Sequence, residues 1–255
     1  MTTLTDKGWL LENRSEPVGI NSWFQGTASV FPAHEGEPTA YMGANYNSVS
    51  GSGTTNMWAF LPEWSLRNGD EFSFYTRQAT NDFADRLEVR LSASGSSTFT
   101  GVGPEGTGDF DVLLLSINEV LDPIGYPREW TEYQFFLSGL PDAGPVDGRL
   151  AFRYFVTDAG PGGSNSDYIG IDSLSYFSYR PGIEVASTVG ATPACEAGGA
   201  GRLDDTDEFY LCHTITNEGN VALTGVAWED SLGSTGDLST LKPSQTALAA
   251  GDAVT

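Results

Sequence analysis

Between Gly148 and Asp172 the chain has little choice but to form antiparallel β-structure. Leu150, Phe152, Tyr154 and Val156 alternate with Ala151, Arg153, Phe155 and Thr157, the two-residue period of a strand. The strand breaks into Asp158-Ala-Gly-Pro-Gly-Gly-Ser-Asn-Ser-Asp167, where Gly and Pro make chain reversal easy, and a second strand returns from Tyr168 to Tyr179. The loop gathers Asp158, Asn165 and Asp167, all hard oxygen donors. This is the signature of a β-sandwich whose loop tips hold cations or ligands, and it argues against a catalytic α/β enzyme.

The rest of the chain repeats the pattern. Strand-like segments are expected at 70–78, 86–93, 110–117, 130–137, 149–157 and 168–179, with 110–117 apolar enough for burial on both faces. No segment keeps an apolar 3.6-residue period over three turns, so long helices are not expected. The 31 Gly and 13 Pro among 255 residues supply the turns that an all-β chain needs. At Pro181-Gly182 the composition shifts: aromatic residues thin out, and both cysteines, Cys195 and Cys212, lie beyond it. The expected organisation is two domains, 1–181 and 182–255. The second is smaller and Ig-like, reading as strand, turn and strand from Asp207 to Ser231 around Asn217-Glu-Gly-Asn220, and it is expected to be cut short at Thr255.

A formal charge of −22 excludes phosphate-rich partners such as nucleic acid, which would be repelled. It suits a solvated extracellular surface, a salty milieu or divalent-cation loading. No apolar run approaches the ~18 residues of a membrane span, so direct membrane insertion is not expected. The first residues lack the basic and apolar regions of a signal peptide, which fits a segment from inside a secreted chain. Two cysteines seventeen positions apart are too few for a metal site. The expected reading is a Cys195–Cys212 disulfide, which needs an oxidising compartment; buried free thiols are the alternative.

In the first domain, Gly8-Trp9, Trp23-Phe-Gln-Gly26, Ala40-Tyr-Met-Gly-Ala-Asn-Tyr-Asn47, Asn56-Met-Trp-Ala-Phe-Leu-Pro62, Arg86-Leu-Glu-Val-Arg-Leu-Ser92, Tyr126-Pro-Arg-Glu-Trp-Thr131 and Gly148 to Asp172 resemble the bacterial choice-of-anchor J domain, a relative of the gingipain cleaved adhesin domains. The resemblance implies a jelly-roll β-sandwich, export and, in many members, calcium. Thr214-Ile-Thr-Asn-Glu-Gly-Asn-Val-Ala-Leu-Thr224, Glu229-Asp230 and Leu248-Ala-Ala-Gly-Asp252 resemble an Ig-like repeat of bacterial surface proteins. The chain departs from the first pattern at Ile171-Asp172-Ser173, where the family often has a second Asp.

Calcium takes six to eight oxygens from separated loops. The expected donors are Glu12, Asn45, Asn56, Asp158, Asn165, Asp167 and Asp172, with Asn13 beside the first; the bland alternative is Asx turns and solvated acids. Trp64 and Tyr46 are the expected ligand-stacking rings, while Trp9, Trp58 and Trp130 are expected in the core. Catalysis is not expected. His34 and His213 are the only histidines, no Gly-x-Ser-x-Gly elbow exists, and Gly101-Val-Gly-Pro-Glu-Gly106 leads into a strand rather than a helix. Together these features predict a secreted or surface-displayed, non-enzymatic module for adhesion or glycan binding. Its partner would be a glycan or another cell-surface molecule. The alternatives are a structural spacer and an accessory module of an exported hydrolase.

Overall fold

Glu71–Gln78 shows how sequence becomes sheet here. Phe72, Phe74, Thr76 and Gln78 are buried, whereas Glu71, Ser73, Tyr75 and Arg77 alternate with them toward the other face. The computed structural model describes residues 4–80, 82–141, 145–190, 210–229, 235–237 and 247–254. It divides into two units, Met1–Ser178 and Tyr179–Thr255.

The first unit is built from β1 (Leu10–Asn13), β2 (Glu16–Val18), β3 (Phe24–Gln25), β4 (Met42–Asn45), β5 (Val49–Phe60), β6 (Trp64–Leu66), β7 (Glu71–Gln78), β8 (Leu87–Ser92), β9 (Val112–Ile117), β10 (Thr131–Phe136), β11 (Val146–Ala159) and β12 (Tyr168–Phe177). One sheet has the order β1-β5-β11-β8-β9, with β2 on β5 and β6 on β11; the other has the order β10-β7-β12-β4-β3. Every pairing between these strands is antiparallel. From β5 onward the chain passes back and forth between the sheets, which makes the unit a jelly-roll β-sandwich.

The core lies between the sheets. Met57, Ala59, Leu87, Val89, Leu91, Leu150, Phe152, Tyr154 and Val156 meet Met42, Ala44, Phe72, Phe74, Ile169 and Ile171. Phe152 and Phe74 pack edge to face with centroids 4.8 Å apart. Burying a side chain of this size contributes roughly 1.5–3 kcal/mol, so this layer dominates the stability of the unit.

One expectation about burial is corrected, and one is met at a second place in the unit. The 110–117 run becomes β9, an edge strand with Leu113 45% exposed, because it pairs only with β8. Trp58 is buried, but outside the inter-sheet core. It stacks with Phe60 (5.6 Å, 8°) under Phe110 on the outer face of the first sheet, where the 93–111 loop covers it.

Among the described residues the second unit contains β13 (Glu184–Gly190), β14 (Tyr210–Thr216), β15 (Leu223–Thr224), β16 (Ala227–Glu229), β17 (Thr235–Asp237), β18 (Ala247–Leu248) and β19 (Ala253–Val254). Its centre is Ile215, Leu248 and Val254, with Leu223, Val226 and Trp228 against them. Asn217 anchors the turn after β14, donating to the carbonyls of Val221 and Leu248 at 2.8 Å and accepting from Gly219 N–H. Cys212 is buried within β14, whereas Cys195 lies outside the described residues. A Cys195–Cys212 bridge would contribute roughly 3 kcal/mol through loop closure. Alkylation of unreduced protein followed by mass spectrometry is expected to add no alkyl groups, and two added groups would refute the bridge.

Candidate functional site

The second sheet is unusual on its outer face, where β4 and β12 carry glycine at paired positions, Gly43 and Gly170. A Cβ on Gly170 would stand 2.8–3.0 Å from Phe31, Trp130 and Tyr41, closer than side chains approach one another. The absence of side chains there lets the 26–41 loop lie down on the sheet. Phe31 stacks on Tyr41 at 5.1 Å and meets Tyr168 and Trp130 edge-on at 5.3 and 5.6 Å. The phenol oxygens of Tyr41 and Tyr168 are 3.1 Å apart and both accept from Thr27 N–H. Burial, with the Tyr168 phenol next to it, pushes the Tyr41 hydroxyl well above its ordinary range and keeps it neutral. Arg77 closes the cluster, its guanidinium 4.5 Å from the Phe31 ring centre.

At the rim of this cluster His34 stacks on Tyr75, with ring centres 3.7 Å apart and planes at 15°. Trp130 stands 6.2 Å from the His34 ring and donates through Nε1 to Pro32 O. Tyr75 donates to Glu132 (3.3 Å), and Glu129 pairs with Arg77 at 3.5 Å. The histidine is set from below: Asp172 accepts from the backbone N–H groups of His34 (2.8 Å) and Glu35 (3.1 Å), and Ser173 Oγ lies 2.9 Å from His34 Nδ1. The result is a half-buried ring pair bordered by carboxylates and held by a rigid strand.

The Ser173–His34 contact invites a catalytic reading, but among the described residues no third group orients the imidazole as a base. The Asp172 carboxylate is occupied by the backbone N–H groups of His34, Glu35 and Ser173, and the imidazole is stacked on Tyr75. The contact positions the ring.

The seven expected calcium donors do not gather in one place. Glu12 and Asn56 lie on the first sheet, each engaged with an arginine. Glu12 pairs with Arg14 at 2.6 Å, and Asn56 Oδ1 accepts from Arg153 Nε and Trp58 Nε1, both at 2.8 Å. Asn45 Oδ1 accepts from Asn21 and from Asn47 N–H. Asp172 holds the His34 loop. Asp158 and Asn165 do come together, but as a turn, with Asn165 N–H on Asp158 O and Asn165 Nδ2 on Thr157 O. Among the described residues no group of three or more His, Cys, Asp or Glu side chains could hold a metal. Asp167 alone reaches a buried acid: its N–H donates to Asp85 at 3.0 Å.

The aromatic expectations shift as well. Trp64 stacks on Tyr176 (4.6 Å, 18°) and packs against the core, so it offers no free platform. Tyr46 sits in the short turn Tyr46–Ser48, with its N–H on Asp167 O. Trp130, expected in the core, belongs to the outer-face cluster. Trp9 lies in the core as expected. Tyr75 was legible as the outward position of an alternating strand. The His34 loop was not, because nothing in 26–41 signals which face it covers.

No protein-family model matches the chain, and no curated protein matches it. Among solved structures it is similar to the K1 cleaved adhesin domain of Lys-gingipain from Porphyromonas gingivalis W83, at 15% identity and a TM-score of 0.40, covering 67% of this chain and 98% of that one. The K2 cleaved adhesin domain gives 14% and 0.43, covering 67% and 89%. A carbohydrate-binding module in complex with β-1,4-galactotriose gives 13% and 0.34, covering 66% and 87%.

Proposed function

We propose that the first unit is a non-enzymatic, extracellular or cell-surface module that binds glycans, or glycan-bearing surfaces, through the outer face of its second sheet, and that calcium stabilises it. The observation that carries this reading is the His34–Tyr75 ring pair, 3.7 Å apart, with Trp130, Glu132 and Glu35 around it. Sugars present apolar C–H faces and hydroxyl donors. Aromatic rings with a polar handle meet the first, and ionised carboxylates, which only accept, meet the second. The ring pair is ordered before binding by Asp172 and Ser173, which reduces the entropy lost on association. A chain at −22 favours neutral or cationic surfaces over phosphate or sulfate polymers.

Screening the full chain on immobilised neutral glycans tests the reading. Tyr75→Ala and Glu132→Gln are each expected to weaken binding about tenfold or more, equivalent to about 1.4 kcal/mol, while the melting temperature stays close to that of the parent. Native protein that retains no glycan would leave the first unit as a structural spacer. Binding untouched by both substitutions would move the site elsewhere on the unit.

A further inference from the structure

β10 is the last strand of the second sheet on the β7 side, and its far edge is open. Its one ladder is with β7, and among the described residues 131–136 make no further backbone–backbone hydrogen bond. Alternate N–H and C=O groups along the strand therefore face outward unpaired, which is the template for another strand. Natural edges are defended by brevity, charge, Pro or a bulge. The other edges of this sandwich follow that rule. β3 has two residues, β1 has four with Glu12 among them, and β9 is irregular at Leu114. β10 has six residues in unbroken register with β7, no Pro, Lys or Arg, and one charge, Glu132. Its inward rings are also short of neighbours. Tyr133 and Phe135 pack on Phe74 and Phe72 but stay only partly buried, and outward Phe136 is 59% exposed.

We infer that β10 pairs with β10 of a second copy, antiparallel about a two-fold axis, so that the two second sheets join edge to edge. The strand suits itself as a partner. Such an axis sets one residue opposite its own copy. With Gln134 at that place, Tyr133 meets Phe135 of the second copy twice on the inner face, and Glu132 lies opposite Phe136, so no like charges face each other. Centring on Glu132 would oppose two carboxylates. A single strand seam belongs with the smaller, transient interfaces, so the dimer is expected to be reversible. The seam also bears on the outer-face site. Tyr75 is opposite Glu132 in the β7–β10 register, so Phe136 of the second copy continues the row Tyr75–Glu132 on the same face. At strand spacing its ring would stand roughly 10 Å from Tyr75, which suits an oligosaccharide rather than a single sugar. A two-fold axis normal to the joined sheet also points both ring pairs the same way, so two sites meet one surface and gain avidity. The platform rests on the glycan reading; the dimer does not.

Sedimentation velocity of the full chain, from micromolar to millimolar and at low and high salt, tests the dimer. A reversible dimer is expected that tightens as salt screens two chains at −22. Gln134→Lys sets two positive charges opposite each other on the axis and should abolish it, although the same change lowers the net repulsion between copies. Leu113→Lys, on β9, makes an equal charge change and should leave the dimer intact. Both positions are exposed, so both variants are expected to fold. Gln134→Cys should give a disulfide-linked dimer on mild oxidation, because residues directly opposite are within reach of a bridge. A monomer at every concentration and salt overturns the inference and leaves the edge to a strand of another protein. A dimer that survives Gln134→Lys, or is lost in Leu113→Lys, overturns the seam. Glycan retention is scored apart. Phe136→Ala, measured where the dimer persists, should weaken it about threefold or more, and unchanged retention removes Phe136 from the platform. Native protein that retains no glycan refutes the outer-face reading and leaves the dimer standing.

Discussion

Replacing Glu88 by Ala is expected to destabilise the first unit by about 3–5 kcal/mol and to lower its melting temperature by about 10 °C. Glu88 is 6% exposed, and its Oε2 binds two guanidinium groups, Arg90 Nε at 2.6 Å and Arg153 Nη1 at 3.1 Å. Arg153 is more deeply buried still. Its Nε donates to Asn56 Oδ1 and its Nη2 to Pro104 O, and its guanidinium carbon lies 3.8 Å from the Phe155 ring centre and 5.1 Å from that of Trp58. Desolvation pulls the Arg153 pKa down to about 10 even with Glu88 raising it, which shows how much the carboxylate is needed. Glu88→Ala would leave that charge buried without its counter-ion, the costly half of breaking a buried pair. Removing all three charges is a different matter. Glu88→Leu combined with Arg90→Met and Arg153→Met should recover most of the loss, because apolar groups of similar volume replace a buried ion network at little cost. Chemical denaturation of the three proteins reads this directly. A Glu88→Ala loss below about 1 kcal/mol, the range of an exposed pair, would mean that the network is solvated.

That network also shows what could and could not be read from the chain. The alternation puts Leu150, Phe152, Tyr154 and Val156 on one face of β11, and that face is the one that meets the inter-sheet core. Arg153 and Phe155, on the opposite face of the same strand, are buried too, and the Arg153 guanidinium reaches Pro104 O in the 93–111 loop. A loop that covers a sheet face leaves no periodic trace. The same limit hid the outer-face aromatic cluster: Gly43 and Gly170 are ordinary strand glycines until the 26–41 loop is laid on them. β5 escaped notice because Ser50-Gly-Ser-Gly-Thr-Thr-Asn56 reads as a turn, although it is the central ladder between β1 and β11. Nothing in the sequence marks Asp85 as buried. A buried acid looks like any other acid in a polar loop until its neighbours are known.

Asp85 gives the second large effect. In chelator, stability is expected to fall by about 4 kcal/mol as pH rises from about 4 to about 7 or just above, and Asp85→Asn should abolish that part of the slope. Burial raises the carboxyl from its ordinary 3.8 to about 7, against the opposing hydrogen bonds from Tyr154 and the Asp167 N–H. The groups that face it are the hydroxyls of Tyr154 and Tyr126, both held neutral far above their usual range, and the Asp167 carboxylate, which adds repulsion. With the folded pKa above the unfolded one, the native state holds the proton more tightly. The associated stability is therefore complete below about pH 4, declines through the interval, and is gone above the folded value. Self-repulsion in a chain at −22 also grows as acids ionise, so the parent curve alone proves nothing. That background is shared by Asp85→Asn, and the difference between the two curves isolates the one carboxyl. Urea midpoints for both proteins across this range supply the comparison, and parallel curves would show that Asp85 ionises freely in the native state.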